Sequence, residues 1–206
     1  MQVTLRNDSV EISGYVNAVG RESRVLCDSA GNYFTETIQP GAFARALMRG
    51  KRRMLLNHDE ARVLGEEGDN LQLKEDAVGL YARAEVTDAE VIEKARSREL
   101  RGWSFGFRPL RQRTEDKCGI KHRIVEDMEL TEVSIIDQRK MPAYAATSVF
   151  TRDDEPDNII EYRMMDMQEV EMRDAASEPS AAKPAGTPPD LTAYEKVLDE
   201  LRAVEH

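Results

Sequence analysis

Cysteine and histidine are scarce in this chain of 206 residues, with two of the first and three of the second. Cys27 and Cys118 have neither a metal-ligand spacing nor the numbers for a disulfide framework, which excludes a zinc module and a stapled secreted scaffold. A reducing compartment is therefore expected. No apolar run approaches the roughly 18 residues of a membrane span and no signal peptide opens the sequence, so a soluble, intracellular protein without a membrane role is expected. Positive charge is in deficit as well: 29 Lys and Arg face 39 Asp and Glu, a net charge of -10. Binding nucleic acid nonspecifically needs clustered cations to neutralise phosphates, so the acidic balance speaks against a direct nucleic-acid role. Basic clusters at residues 49–53 and 108–113 leave room for a local anionic contact. Neither a Cys/His cluster nor a Gly-rich phosphate loop occurs, so no metal or organic cofactor is implied.

What is present suits one domain with tails: 40% of the residues are hydrophobic, enough for a real core. Residues 10–19 alternate Val10, Ile12, Gly14, Val16 and Ala18 with mostly polar neighbours, and residues 33–38 are β-branched and aromatic. With the turn signal Ser29-Ala30-Gly31-Asn32 between them, the two segments predict a hairpin. Pro40-Gly41-Ala42-Phe43 opens a short helix stopped by Gly50, and Met54-Leu55-Leu56 reads as a short buried strand. Further strands are predicted at 71–73, 80–86, 120–125 and 128–136, the third entered through the turn at Asp116-Lys117-Cys118-Gly119. Asp88 caps a helix expected over 89–100, with Gly102 just past its end. Many short strands and few helices predict a mainly β (α+β) domain, a closed or nearly closed barrel with helices packed outside. Composition changes near residue 151: residues 151–190 read as a charged, then Ala/Ser/Pro-rich linker, and 191–206 regain helical spacing through Leu191, Tyr194, Leu198 and Leu201. The folded domain is thus expected over 1–150.

The most informative stretch is Gly102-Trp103-Ser104-Phe105-Gly106-Phe107. Strand alternation puts Trp103, Phe105 and Phe107 on one face and Ser104 between two glycines on the other. Glycines weaken a strand and mark a face where something approaches closely, either a neighbouring backbone or a substrate chain over an exposed hydroxyl. Ser104 becomes a nucleophile only with a base in reach, and His58, at the end of an apolar strand in Asn57-His58-Asp59, or His122 could supply it near neutral pH. An acid behind the histidine would fix its tautomer. Glu132 is the candidate, sharing a face with Leu130 and Ser134 in a strand apolar enough to bury it; Glu129 and Asp127 remain rivals on the residues alone.

Four segments in order resemble the prohead maturation proteases of tailed double-stranded-DNA phages, a family related to the herpesvirus assemblins. They are Ile38-Gln39-Pro40-Gly41-Ala42-Phe43, Leu55-Leu56-Asn57-His58-Asp59, the serine stretch above, and Leu130-Thr131-Glu132-Val133-Ser134 followed by Pro142-Ala143 and Ala145. The resemblance covers roughly residues 10–148. It implies an assemblin-like barrel of six or seven strands, a nucleophile at Ser104, a general base at His58 and an orienting acid at Glu132. It further implies an oxyanion contribution beside Arg139, with Lys140 the lesser candidate. The expected activity is that of a serine endopeptidase cutting the scaffold or delta segments of the major capsid protein, and itself, inside the prohead in the host cytoplasm. A homo-oligomer, such as a dimer, is expected. The alternative is an inactive, scaffold-like assembly protein of the same fold.

Overall fold

The computed structural model describes residues 1–28, 30–138, 151–152, 160–164 and 170–175. Alternation of apolar and polar residues lays most of these down as strands; in Gly79–Val86, for example, Leu80, Ala82, Ala84 and Val86 all turn inward. The order is β1 (Gln2–Leu5), β2 (Val10–Ala18), β3 (Leu26–Cys27), β4 (Tyr33–Ile38), α1 (Ala42–Leu47), β5 (Arg53–Leu56), β6 (Asp59–Glu66), β7 (Leu71–Glu75), β8 (Gly79–Val86), α2 (Ala89–Arg96), β9 (Leu100–Lys117), β10 (Ile120–Asp137), β11 (Thr151–Arg152), β12 (Ile160–Met164) and β13 (Glu171–Asp174).

The strands form two sheets and not a closed barrel. One runs β13-β1-β2-β8-β7; the other runs β11-β12-β9-β10-β4-β3, with β5 branching from β10 and β6 pairing with β5. The reason lies in β10. Residues 121–125 of this long strand pair in parallel with β4, whereas residues 132–135 pair in parallel with β5. The sheet forks along one strand, and its margins end as edges instead of meeting. One core joins both sheets: Ile12 of β2, Leu80 of β8, Val133 of β10 and the β9 residues Trp103, Phe105 and Phe107 belong to a single buried cluster. Phe43 of α1 seals it, its ring 5.2 Å from that of Phe105 at 77°.

Three local expectations are revised. Strands β2 and β4 do not form a hairpin: β2 pairs with β1 and β8, while β4 pairs with β10 and β3. Helix α2 stops at Arg96, four residues before the predicted end. Arg98 adopts a positive φ of 56°, its N–H bonds the Ala95 carbonyl and the Glu99 N–H bonds the Lys94 carbonyl. That is a Schellman closure, built here without a glycine, so Gly102 is free to lie inside β9. Finally, three strands, β11, β12 and β13, lie within the stretch read as linker. Tyr162 of β12 is buried against β9, and Met172 of β13 packs on the core beside β1. The segment 191–206, with its expected helix, lies outside the described residues.

Phe105 is fully buried between α1 and Phe107. Phe105→Ala should therefore cost about 3–5 kcal/mol through lost transfer energy and the cavity left behind. The urea midpoint of unfolding, followed by Trp103 fluorescence, would show it.

Candidate active site

His58 sits at the tip of the β5–β6 hairpin, where Leu56 pairs with Asp59 across a two-residue turn. Asn57 and His58 have φ of 57° and 60°, the left-handed pair that a tight hairpin turn demands. Asn and His enter this region more readily than most residues, and surrounding contacts hold them there. Those contacts are on β10. The Asn57 N–H bonds the Ile135 carbonyl at 2.9 Å, the Asn57 side chain accepts from the Asp137 N–H at 3.0 Å, and the His58 N–H reaches Ser134 Oγ at 3.2 Å. Asp137, itself buried, is 2.6 Å from Lys94 Nζ of α2, so the helix is tied to the same strand end.

The His58 ring meets Glu132, with Nδ1 2.6 Å from Oε1. The other carboxylate oxygen, Oε2, accepts from Ser134 Oγ at 2.6 Å. Glu132 is only 6% exposed, and with both oxygens engaged its burial is compensated. An ionised carboxylate can only accept, so a neutral imidazole facing one carries its proton on Nδ1 and keeps the lone pair on Nε2. The ring centroid of Tyr162, on β12, lies 4.2 Å from that of His58.

A bulge makes this arrangement possible. Leu130 pairs with Phe107, yet Glu132 pairs with Gly106, so β10 advances two residues while β9 advances one. Leu130 therefore faces the core with Val133 and Ile135, whereas Glu132 and Ser134 face the other side. Simple alternation, which groups Leu130 with Glu132, fails here because Thr131 is the extra residue. Beyond the bulge, Ser134 pairs directly with Ser104. Ser104 is 2% exposed, and its hydroxyl donates to the Arg163 carbonyl of β12 at 2.8 Å.

Gly106 explains why the serine face had to be cleared. A Cβ there would come within 2.7 Å of Thr131 Oγ1, 2.9 Å of Glu132 Oε1 and 2.9 Å of the Tyr162 ring. The close neighbours are thus Thr131, the carboxylate that holds His58, and Tyr162. Gly106→Ala should force these side chains apart and destabilise the fold by about 1–3 kcal/mol, the usual cost of overpacking a close-packed site. A lower urea midpoint of unfolding would show it.

The rival residues are occupied elsewhere. His122 Nδ1 lies 2.8 Å from Thr35 Oγ1, toward the tip of the β9–β10 hairpin. Glu129 pairs with Arg108 at 3.1 Å, and Asp127 with Arg49 at 2.6 Å. Sequence reasoning assigned no role to Ser134, Asn57 or Tyr162. Ser134 was visible in the pattern as a partner of Glu132 on one face; Tyr162, in a stretch read as linker, gave no signal. Arg139 and Lys140, as well as Pro142, Ala143 and Ala145, lie outside the described residues. Among the described residues no helix is long and apolar enough to cross a membrane.

The fold is thus mostly β, and it joins His58 to the buried Glu132 while Ser104 lies on the adjoining strand, opposite Ser134. The family model for the caudovirus prohead serine proteases matches residues 1–160, and the chain belongs to that family. Its class of activity is that of a serine peptidase with a role in the maturation of the phage prohead. No curated protein and no solved structure matches the chain.

Proposed function

We propose that the chain is a serine endopeptidase with Ser104 as nucleophile, His58 as general base and Glu132 as the acid that orients it. The 2.6 Å contact between His58 Nδ1 and Glu132 carries this reading. It fixes the tautomer that leaves Nε2 able to take a proton, and Ser134, the cross-strand partner of Ser104, completes the same network. For reaction, the Ser104 hydroxyl turns from the Arg163 carbonyl to Nε2 and its oxygen adds to the scissile carbonyl as His58 takes the proton. Glu132 stabilises the imidazolium that results. Collapse of the tetrahedral intermediate transfers that proton from His58 to the leaving amine, and water then cleaves the acyl-enzyme by the same route in reverse. A main-chain donor beside Arg139 would stabilise the oxyanion.

The substrate class is an extended polypeptide, and the prohead setting of the family makes the scaffold or delta segment of the major capsid protein the natural candidate. The protease itself is a second target, cut between residues 151 and 191. Incubation with the cognate capsid protein, followed by mass spectrometry, tests both. Defined fragments that disappear with Ser104→Ala are expected; an intact capsid protein, together with no labelling of Ser104 by a fluorophosphonate, would leave the inactive assembly-protein alternative standing.

A further inference from the structure

Beside Ser104, the edge of β9 is taken by the chain's own strand β12. The two are antiparallel, with Arg163 opposite Phe105 and Met164 opposite Ser104. The Ser104 hydroxyl is spent on the Arg163 carbonyl, and Tyr162 covers the ring of His58. An extended peptide awaiting cleavage has to lie in the same place, since a strand added to a sheet edge is the usual way a protein holds one.

Below this strand lies a buried cluster of four charges. Arg163 grips Glu36 of β4 through two bonds, Nε to Oε1 at 2.9 Å and Nη2 to Oε2 at 3.2 Å. Arg123 of β10 grips Glu161 in the same manner, at 2.9 and 2.6 Å, and also bonds Glu36 through Nε at 2.7 Å. Arg163 Nη2 reaches Glu161 at 2.5 Å. Glu36 and Arg163 are each 4% exposed and Glu161 is 9% exposed. Burial raises the carboxyl pKa of Glu161, but Arg123 and Arg163 outweigh it and hold the group below its ordinary value. Two of the four charges, Glu36 and Arg123, belong to β4 and β10; the other two belong to the occupant. Buried charges left without partners are costly, so a strand seated here is favoured when it brings an acid and, two residues on, a base. A cavity of about 310 Å³, lined in part by Glu36, Arg163 and Met164, continues from this end of the strand.

We propose that the edge of β9 beside Ser104 is the substrate's seat, that Glu36 and Arg123 read a substrate strand carrying an acidic and a basic residue two positions apart, and that β12, with Glu161-Tyr162-Arg163, occupies this seat in the resting protein. The proposal rests on Ser104 being the nucleophile. It makes the isolated protein latent, because β12 both covers His58 and diverts the hydroxyl.

The test uses the full chain and a fluorophosphonate that labels an activated serine. Glu161→Gln combined with Arg163→Met removes one charge of each sign, keeps side-chain bulk and leaves Glu36 paired with Arg123. Met164→Pro instead keeps all four charges and puts opposite Ser104 a residue that disfavours a paired strand, which covers a double variant that fails to fold. Both are expected to be labelled about tenfold faster than the parent, the scale of losing charge-assisted or ladder hydrogen bonds. A peptide of residues 158–165 should slow labelling of either variant, whereas the same peptide with its Glu and Arg exchanged should not. Equal labelling of parent and variants would overturn the occupancy of the seat by β12. Equal competition by both peptides would overturn the reading by Glu36 and Arg123. No labelling of parent or variants, indistinguishable from Ser104→Ala, would overturn the proposal by removing the serine peptidase reading beneath it.

Discussion

Ser104→Ala should abolish proteolysis, with a rate loss between about 10⁴- and 10⁶-fold, the scale on which nucleophile and base act as one unit. Alanine keeps the Cβ and its packing and deletes only the hydroxyl. The fold loses one hydrogen bond, to the Arg163 carbonyl, worth about 1 kcal/mol. The variant should thus be folded and inactive, a combination that separates chemistry from stability. His58→Ala should fall to a similar floor, and the double variant no further, because either change alone already disables proton transfer from serine to histidine. Product formation from the capsid protein, measured beside near-ultraviolet circular dichroism of the buried Trp103, checks both halves. Residual cleavage by Ser104→Ala above that floor would point to another nucleophile.

Glu132→Gln should lower the rate by about 10³- to 10⁴-fold, less than loss of the nucleophile but more than any peripheral change. The carboxamide matches the carboxylate in shape, yet one of its two ends is now a donor. Facing Nδ1, the amide nitrogen would donate to it and force the proton to Nε2, where it blocks the base. Facing Ser134, it would meet a hydroxyl that now donates to Oε2 and would have to turn away. In either orientation the imidazolium loses its counter-charge. Glu129→Gln provides the contrast: its partner is Arg108, in a half-exposed pair worth at most ~1 kcal/mol, so activity within about twofold of the parent is expected. Steady-state rates of the two variants on one peptide substrate decide the matter; a fully active Glu132→Gln would remove it from the catalytic role.

The sequence by itself determined the β character, the inward face of Trp103, Phe105 and Phe107, the Asp88 cap and the placement of His58 at a strand end. Each of these is written in local alternation, turn chemistry or capping, and depends on residues a few positions apart. The four motif segments also pointed to the prohead serine proteases, the family whose model matches residues 1–160.

Only the tertiary structure decided how these pieces meet. The bulge at Thr131 reverses the alternation between Met128 and Leu130 on one side and Val133 and Ile135 on the other, and which residue is the extra one is decided by the register of two strands. The same holds for the fork of β10 between β4 and β5, which replaces the expected barrel closure with two sheets. The capture of residues 160–164 by the edge of β9 was hidden for a related reason. Glu161 and Arg163 look like solvated charges in a polar stretch, and they are buried only because Glu36 and Arg123, distant in sequence, bring the opposite charges to the same place.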